Sequence, residues 1–286
     1  MESILTVLIL TRDEEENLPA TLASLRSLSA HIVVVDSGST DNSIAIAQAA
    51  GAETVQHAFT TQADQINWAL DQGLCATPWT MRLDADERVT PELAEELNVV
   101  LASLASDVTG LELKRRVYFW GRWIRHGGYY PTWLFRIWRT GSARSEQRTM
   151  DEHMVSAHGR ICRLRHDIID ENRKGLTHWV DKHNQYATRE VAALRQDVAS
   201  AVASGPGGQA GRRRWLKRNV YGRTPLFLRA FLYWFLRYFV LLGFLDGLPG
   251  FVFHLNQGFW YRVLVDAKLY ESRLRGAADA ARAGRP

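Results

Sequence analysis

Residues Met81-Arg-Leu-Asp-Ala-Asp-Glu-Arg-Val-Thr90 place three carboxylates in four positions, directly after an apolar run. In an extended segment Asp84 and Asp86, two apart, point to the same side. Two hard oxygen donors at a strand end suit Mg²⁺ or Mn²⁺. Such ions take one or two protein carboxylates and leave other positions to water and a diphosphate. The plainer reading is a solvated acidic loop introducing the next helix, with Glu87 serving local structure beside Arg88. Asp36 follows a second apolar run, where an acid can bind a ribose hydroxyl or a base N–H. It is equally suited to closing that strand as an Asx-turn with Gly38 and Ser39. A dinucleotide fingerprint would require glycines after the first apolar run. Thr11-Arg-Asp-Glu14 stands there instead, which argues against a dehydrogenase.

These residues need a frame. Ile4–Leu10, His31–Val35 and Trp79–Leu83 are continuous apolar runs, each ending in a polar loop, and predict buried strands. Glu53–His57 predicts a short further strand. Helical spacing follows Asn17 and covers Ser43–Ala50 and Asp64–Gln72. Thr90-Pro91 predicts a helix N-terminus, with Thr90 as cap and Pro91 in the first turn. Strands alternating with helices imply an α/β fold with a mainly parallel sheet. Ligands of such sheets sit outside the carboxyl ends of the strands, where these polar loops fall. Beyond residue 110 the chain becomes aromatic and basic, and Leu176–Val202 carries one apolar stripe of a long helix.

Taken together, LILTRDEEENL, VVVDSGSTD and MRLDADE resemble the nucleotide-sugar domain of inverting family 2 glycosyltransferases. The resemblance spans about the first hundred residues and is nearest to lipopolysaccharide-core and exopolysaccharide members. It implies the GT-A fold, a Rossmann-like, mainly parallel sheet flanked by helices. Thr11, Asp13, Glu14 and Asp36 become nucleoside-site candidates, Asp84 a ribose or outer-shell contact, and Asp86 the metal ligand. Asp13 stands where the family often has Asn. Gln65 and Asn67 match a Gln-x-Asn pattern of the lipopolysaccharide-core subgroup. Ile66 replaces the basic residue often found between them, so a basic donor contact must come from elsewhere.

Inverting transfer requires a base for the acceptor hydroxyl. Asp151 and Glu152, within Met150-Asp-Glu-His-Met154, resemble the family's base position, and either can serve; His153 is a candidate further metal ligand. Arg122, Arg125, His126, Tyr129 and Trp133 lie in an aromatic, basic loop that suits an acceptor lid, since aromatics stack on sugars and arginines pair with phosphates. Gly127-Gly128 are its candidate hinges. The activity implied is transfer of a hexose from a nucleotide diphosphate sugar, UDP-linked by first choice, to a saccharide or lipid-linked acceptor. Two alternatives are a transferase acting on polyprenyl phosphate, which needs no base, and a non-enzymatic membrane-associated scaffold.

Charge is unevenly distributed. From Gly205 onward there are 14 Lys/Arg against 4 Asp/Glu, leaving 21 against 27 before it. Two distant cysteines make no disulfide framework. The first apolar run lacks a basic flank and cleavage site, and reads as a strand rather than a signal peptide. The Gly- and Pro-containing stretch 204–211 suggests a boundary: a catalytic domain over 1–204, with a nucleotide half to about 110 and an acceptor half over 111–204. A basic, aromatic, helical region would follow over 205–286. Charges interrupt the apolar segment 225–261 before it reaches the ~20 residues of a spanning helix. A membrane interface is therefore expected, on the cytoplasmic face of a bacterial inner membrane. Packing on the domain or on another subunit as a homo-oligomer is the alternative. No nucleic-acid motif accompanies the basic tail, so nucleic acid is not an expected partner.

Overall fold

A computed structural model of the chain describes residues 3–146, 153–199 and 224–283, without the side chains of 195–199 and 277–283. Two compact units emerge, one comprising Met1–Trp123 with Tyr129–Lys174, the other Ile124–Gly128 with Gly175–Pro286. The unit boundary thus falls at Lys174, so the long helix groups with the C-terminal segment. The boundary expected after 204 lies outside the described residues.

In the first unit the apolar runs form β1 (Leu5–Thr11), β2 (Ala30–Asp36) and β4 (Trp79–Asp84), joined by β3 (Glu53–Gln56). All four are parallel, in the order β3-β2-β1-β4. The chain works outward from β1 to β3, then returns to the other side of β1 for β4. That reversal marks the topological switch point of the sheet, between β1 and β4. The acidic loop then contributes a short strand, β5 (Glu87–Val89), where the sequence predicts only a loop before the helix at Thr90. The sheet continues with β8 (Trp133–Arg139), β6 (Val108–Phe119) and β11 (Arg160–Asp170), and β5 closes its far edge. β7 (Arg122–Trp123) turns back on β6, while β9 (Ala143–Ser145) and β10 (Met154–Ser156) pair antiparallel in a separate two-stranded sheet.

Alternation along β1 sends Val7 and Ile9 to one face and Leu8 to the other. The first face packs with Met81, Leu83 and Ile137 against α1 (Leu18–Ser24) and α4 (Pro91–Ser103), through Leu18, Leu22, Leu93 and Leu97. The second packs with Val33, Val35 and Trp138 against Ile66 and Ala69 of α3 (Gln62–Asp71). A further helix, α2 (Ser43–Ala49), joins β2 to β3. Helix starts follow their caps. Thr61 Oγ1 accepts from the Asp64 N–H at 3.0 Å, and Thr90 Oγ1 from the Leu93 N–H at 3.2 Å.

The second unit is helical. α5 (Gly175–Ala199) packs on α8 (Tyr261–Ala283) through Ala187 and Val191 against Tyr261 and Val265. The Tyr261 hydroxyl donates to Glu190 at 2.6 Å. Between them lie α6 (Leu228–Phe235), a π-helical turn Leu236–Val240, a 3₁₀ turn Gly243–Asp246, α7 (Gly247–Phe253) and a π-helical stretch His254–Trp260. Among the described residues no single helix is long and apolar enough to cross a membrane.

Candidate active site

Strand register brings three of the expected residues to one edge. Thr11 lies opposite Asp36, and its neighbour Leu10 opposite Asp84, so the ends of β2, β1 and β4 stand side by side. β6 and β11 share this direction, and their carboxyl ends reach the same edge.

Asp36 is buried and occupied locally. Its Oδ2 accepts from the Gly38 and Ser39 N–H groups at 2.8 and 2.9 Å, and its Oδ1 bonds the Ser39 hydroxyl. The Asx-turn reading is thus realised, with Gly38 at φ +85° making the reversal. Asp13 adopts φ +52°, a conformation in which Asn and Asp are enriched. Its Oδ1 accepts from the Thr40 N–H at 2.7 Å, and its own N–H donates to Ser39 Oγ at 2.9 Å. The need for left-handed backbone explains why Asp can stand where the family often has Asn. Glu14 accepts from Asn17 Nδ2 at 2.7 Å and pairs with Lys174 at 2.7 Å. Thr11 Oγ1 is buried with no hydrogen-bond partner.

The acidic triplet divides into three roles. Asp84 Oδ1 accepts from Arg82 Nε at 3.1 Å, and Oδ2 from Arg136 at 2.9 Å. Burial pushes this carboxyl up, but the Arg136 and Arg82 charges outweigh it and hold it well below the usual range. Asp86 lies half-buried on the β4–β5 turn, its Oδ2 accepting from Asn172 Nδ2 at 3.1 Å. Glu87 is fully buried. It accepts from Arg136 at 2.6 Å and from the Asp84 N–H at 3.0 Å. Glu87 thus serves local structure, as expected, while its neighbour Arg88 faces the opposite side of β5 and pairs with Glu171 at 2.5 Å. Burial raises Glu87 most, Arg136 opposes, and Asp84 and Asp170 add to the rise; the net effect is upward.

Other candidates sit as follows. Gln65 is buried, donating to the His57 and Ala58 carbonyls at 2.9 Å, while its Oε1 has no partner. Asn67 is paired twice with the Ser145 backbone, donating to its carbonyl at 2.9 Å and accepting its N–H at 3.0 Å. It thereby pins β9. Asp151 and Glu152 lie outside the described residues. On their flanks the Glu146 N–H donates to the His153 carbonyl at 3.0 Å, and the His153 N–H to Glu146 Oε1 at 3.1 Å. Among the described residues no three His, Cys, Asp or Glu side chains gather as a metal cage.

The acceptor candidates fall in different units. Arg122, Tyr129 and Trp133 belong to the first, where Arg163 lies 4.5 Å and Lys114 5.6 Å from the Trp133 ring. Arg125 and His126 belong to the second, where His126 Nδ1 meets Asp246 at 2.6 Å. Gly127, a candidate hinge, is tightly held there: its N–H donates to Leu241, and a Cβ would strike the His254 ring.

The sequence reading missed Arg82, Arg136, Asn172 and Lys174. Arg136 did leave a signal, as one charge inside the apolar stretch Trp133-Leu-Phe-Arg-Ile-Trp138. A buried arginine needs a buried carboxylate. Asn172 and Lys174 left none, because a strap after β11 brings them back. There the Glu171 N–H donates to the Asp86 carbonyl and the Arg173 N–H to Asn17 Oδ1.

Comparison with known proteins agrees with this frame. The family model described as Glycosyl transferase family 2 matches residues 6–173. An uncharacterized glycosyltransferase of Rickettsia conorii is 31% identical over 103 residues, 36% of each chain. The chain therefore spans about a third of that relative's length. The lipopolysaccharide core biosynthesis glycosyltransferase LpsC of Rhizobium meliloti is 28% identical over 285 residues, 93% of this chain and 92% of LpsC. Among solved structures, the mannosyltransferase PcManGT of Pyrobaculum calidifontis, in complex with GDP-Man and Mn²⁺, matches with a TM-score of 0.54. It covers 94% of this chain and 88% of its own at 13% identity, a likeness of fold alone. The expected GT-A architecture is the one observed.

Proposed function

The chain belongs to glycosyl transferase family 2, and on that premise we propose that it moves a hexose from a nucleotide diphosphate sugar to a saccharide or lipid-linked acceptor. The reaction proceeds with inversion, in the building of bacterial lipopolysaccharide or another cell-surface polysaccharide; the similarity to LpsC supports that placement. A UDP-sugar is the first-choice donor. The cytoplasmic face of the inner membrane is the proposed location.

One observation carries the reading: Thr11, Asp36 and Asp84 end adjacent strands at the sheet's switch point, and Asp86 follows on the next turn. There Thr11 Oγ1 offers an unpaired buried hydroxyl to the nucleoside. Arg136 and Arg82 keep Asp84 ionised and fixed, ready to accept from a ribose hydroxyl. Lys174, held on Glu14, supplies a basic group that the Gln65-Ile66-Asn67 segment lacks. On the acceptor side, Asp151 or Glu152 removes the hydroxyl proton as oxygen attacks the anomeric carbon opposite the leaving diphosphate.

The donor chemistry of Asp86 fits a hard divalent cation that takes a single protein carboxylate, because it is a half-buried carboxylate on a turn with an amide holding one oxygen. Asp84, bracketed by two guanidinium groups, is the poorer ligand. Asp86 would hold Mg²⁺ or Mn²⁺, with His153 as a further candidate, and the ion supplies positive charge for the leaving diphosphate.

Calorimetry with UDP and Mn²⁺ tests the reading. Metal-dependent binding that weakens at least about tenfold in Asp86→Ala is expected. Metal-independent binding, or binding indifferent to that change, refutes the assignment. Slow hydrolysis of UDP-, GDP- and dTDP-sugars then ranks the donors. Asp151→Asn and Glu152→Gln distinguish a hydroxyl acceptor from a polyprenyl phosphate, whose anionic oxygen needs no base.

A further inference from the structure

The second unit shows an unusual distribution of exposed residues. From Phe227 to Phe251 every exposed position is Phe, Leu, Val or Gly. Fourteen large apolar side chains are exposed in those 25 residues, among them Phe231, Leu232, Phe235, Leu241 and Leu248, the last 71% exposed. Scattered exposed apolar residues are ordinary on a soluble surface, but fourteen within one 25-residue stretch are not.

The same stretch contains three charged residues, and all three are tied inward. Arg229 and Asp266 form a buried pair, Nε to Oδ1 at 2.7 Å. Arg237 donates to the Gly127 carbonyl at 2.9 Å, and Asp246 holds His126 through both its N–H and its ring. Charge withdrawn on one side and apolar side chains presented on the other is the arrangement a hydrocarbon phase requires. Phe227 and Leu242 sit at positive φ, a conformation large side chains rarely take, and both are exposed. Backbone strain of that kind at an exposed apolar surface points to a use outside the fold.

We infer that Phe227–Phe251 is a bent, monotopic helical segment that inserts into one leaflet of an anionic lipid bilayer. A straight crossing is disfavoured: no single described helix is long and apolar enough, and Leu228–Val240 and Gly243–Gly276, which reach that length and composition only together, are bent by 68°. Charge selects the lipid. In the sequence, residues 212–223, which precede this segment, carry six Lys/Arg and no acid, a composition suited to anionic headgroups. A second copy of the chain is the less suitable occupant, because protein interfaces surround their apolar centre with a polar rim, and no exposed position from 227 to 251 is polar. The inference is independent of the donor chemistry.

Flotation of the full chain with vesicles tests it, using phosphatidylcholine alone and phosphatidylcholine with about one third phosphatidylglycerol. The wild type should float with the anionic vesicles, more weakly with the neutral ones, and salt should reduce binding without abolishing it. The exposed substitutions Leu232→Glu, Leu241→Glu and Leu248→Glu should each lower partitioning about tenfold or more, with circular dichroism and donor hydrolysis unchanged. Equal flotation of wild type and triple variant overturns the inference, as does failure of the wild type to float. A vesicle-indifferent dimer that the triple variant dissolves would overturn it too, assigning the face to a second copy.

Discussion

Arg136→Met removes the one guanidinium that bridges Asp84 and Glu87, at 2.9 and 2.6 Å, while keeping most of the side-chain volume. Asp84 retains Arg82, but Glu87, 1% exposed, keeps only the Asp84 N–H. Removing one partner of a buried ion pair costs about 3–5 kcal/mol when the other stays charged. Glu87 has an escape, because it can take up a proton. Its folded-state value already lies near 7, above the ordinary 4.5, with burial the main cause; losing Arg136 raises it further. For a carboxyl raised in this way, the stabilising contribution is complete below pH 4.5 and drains away as pH rises through the folded value. The loss in Arg136→Met should therefore be modest at pH 6, on the order of 1–3 kcal/mol from broken hydrogen bonds. It should approach about 3–5 kcal/mol at pH 9.

Thermal melts of wild type and variant from pH 6 to 9 measure this directly. A few kcal/mol corresponds to a fall of roughly 6–12 °C at the upper end of that range. The double variant Arg136→Met/Glu87→Gln should recover most of the stability and lose the pH dependence, since no charge is left stranded. Donor hydrolysis should stay low in the double variant, because Asp84 has still lost Arg136. A loss below about 1 kcal/mol at every pH, or no rescue by Glu87→Gln, would show that the bridge does not hold this turn.

Three further outcomes follow from groups elsewhere. Cys75 is buried and its thiol is pushed up to about 11 by burial, so iodoacetamide at pH 8 should leave it unmodified in the native chain and label it after unfolding; labelling at native rates equal to Cys162 would contradict this. His183, stacked on Trp179 at 3.5 Å, is lowered to about 4 by burial. A base depressed on folding contributes stability above its unfolded value of 6.5 that is lost as pH falls toward 4, so α-helical signal should melt earlier at pH 4.5 than at 7. The shift should shrink in His183→Gln. Lys174→Met should weaken UDP binding by about tenfold, and Lys174→Arg should restore most of it; unchanged affinity in the Met variant would assign Lys174 to its structural pair with Glu14.

Local signals made most of the first unit legible. Continuous apolar runs predicted β1, β2 and β4, because a strand buried on both faces shows no alternation to confuse with a helix. Thr90-Pro91 placed α4 correctly because a cap and a proline act within one turn. β5 escaped notice. Three residues are too few for a periodic signal, and Glu87-Arg-Val89 looks polar until Arg136 arrives from β8, 49 positions along the chain, to neutralise its acid. The long helix was legible as a helix but not in its grouping. Its partner helix is distant in the chain: Tyr261, which bonds Glu190, lies 71 positions beyond it.

The acidic turn shows where sequence reading reaches its limit. Its side chains looked alike, three carboxylates with equal claim to a cation. The fold gives each a different neighbour, and neighbours determine chemistry. Asp84 receives two arginines and is fixed as an anion; Glu87 receives one and is buried; Asp86 receives the side-chain amide of Asn172. Arg82 lies two residues from Asp84, but Arg136 comes from β8 and Asn172 from the strap after β11. The sorting of the triplet is thus a property of strand order. Placing β8 and β11 between β4 and β5 brings the arginine and the amide to the turn. Moving charge within that set has a calculable result: Asp84→Asn leaves Arg136 on Glu87 alone, removes the Asp84 anion that helps raise Glu87, and should lower the Glu87 titration. A carboxyl titration followed by infrared spectroscopy should move toward acid in Asp84→Asn, and a move toward alkali would mean that Arg136 had left Glu87 with its partner.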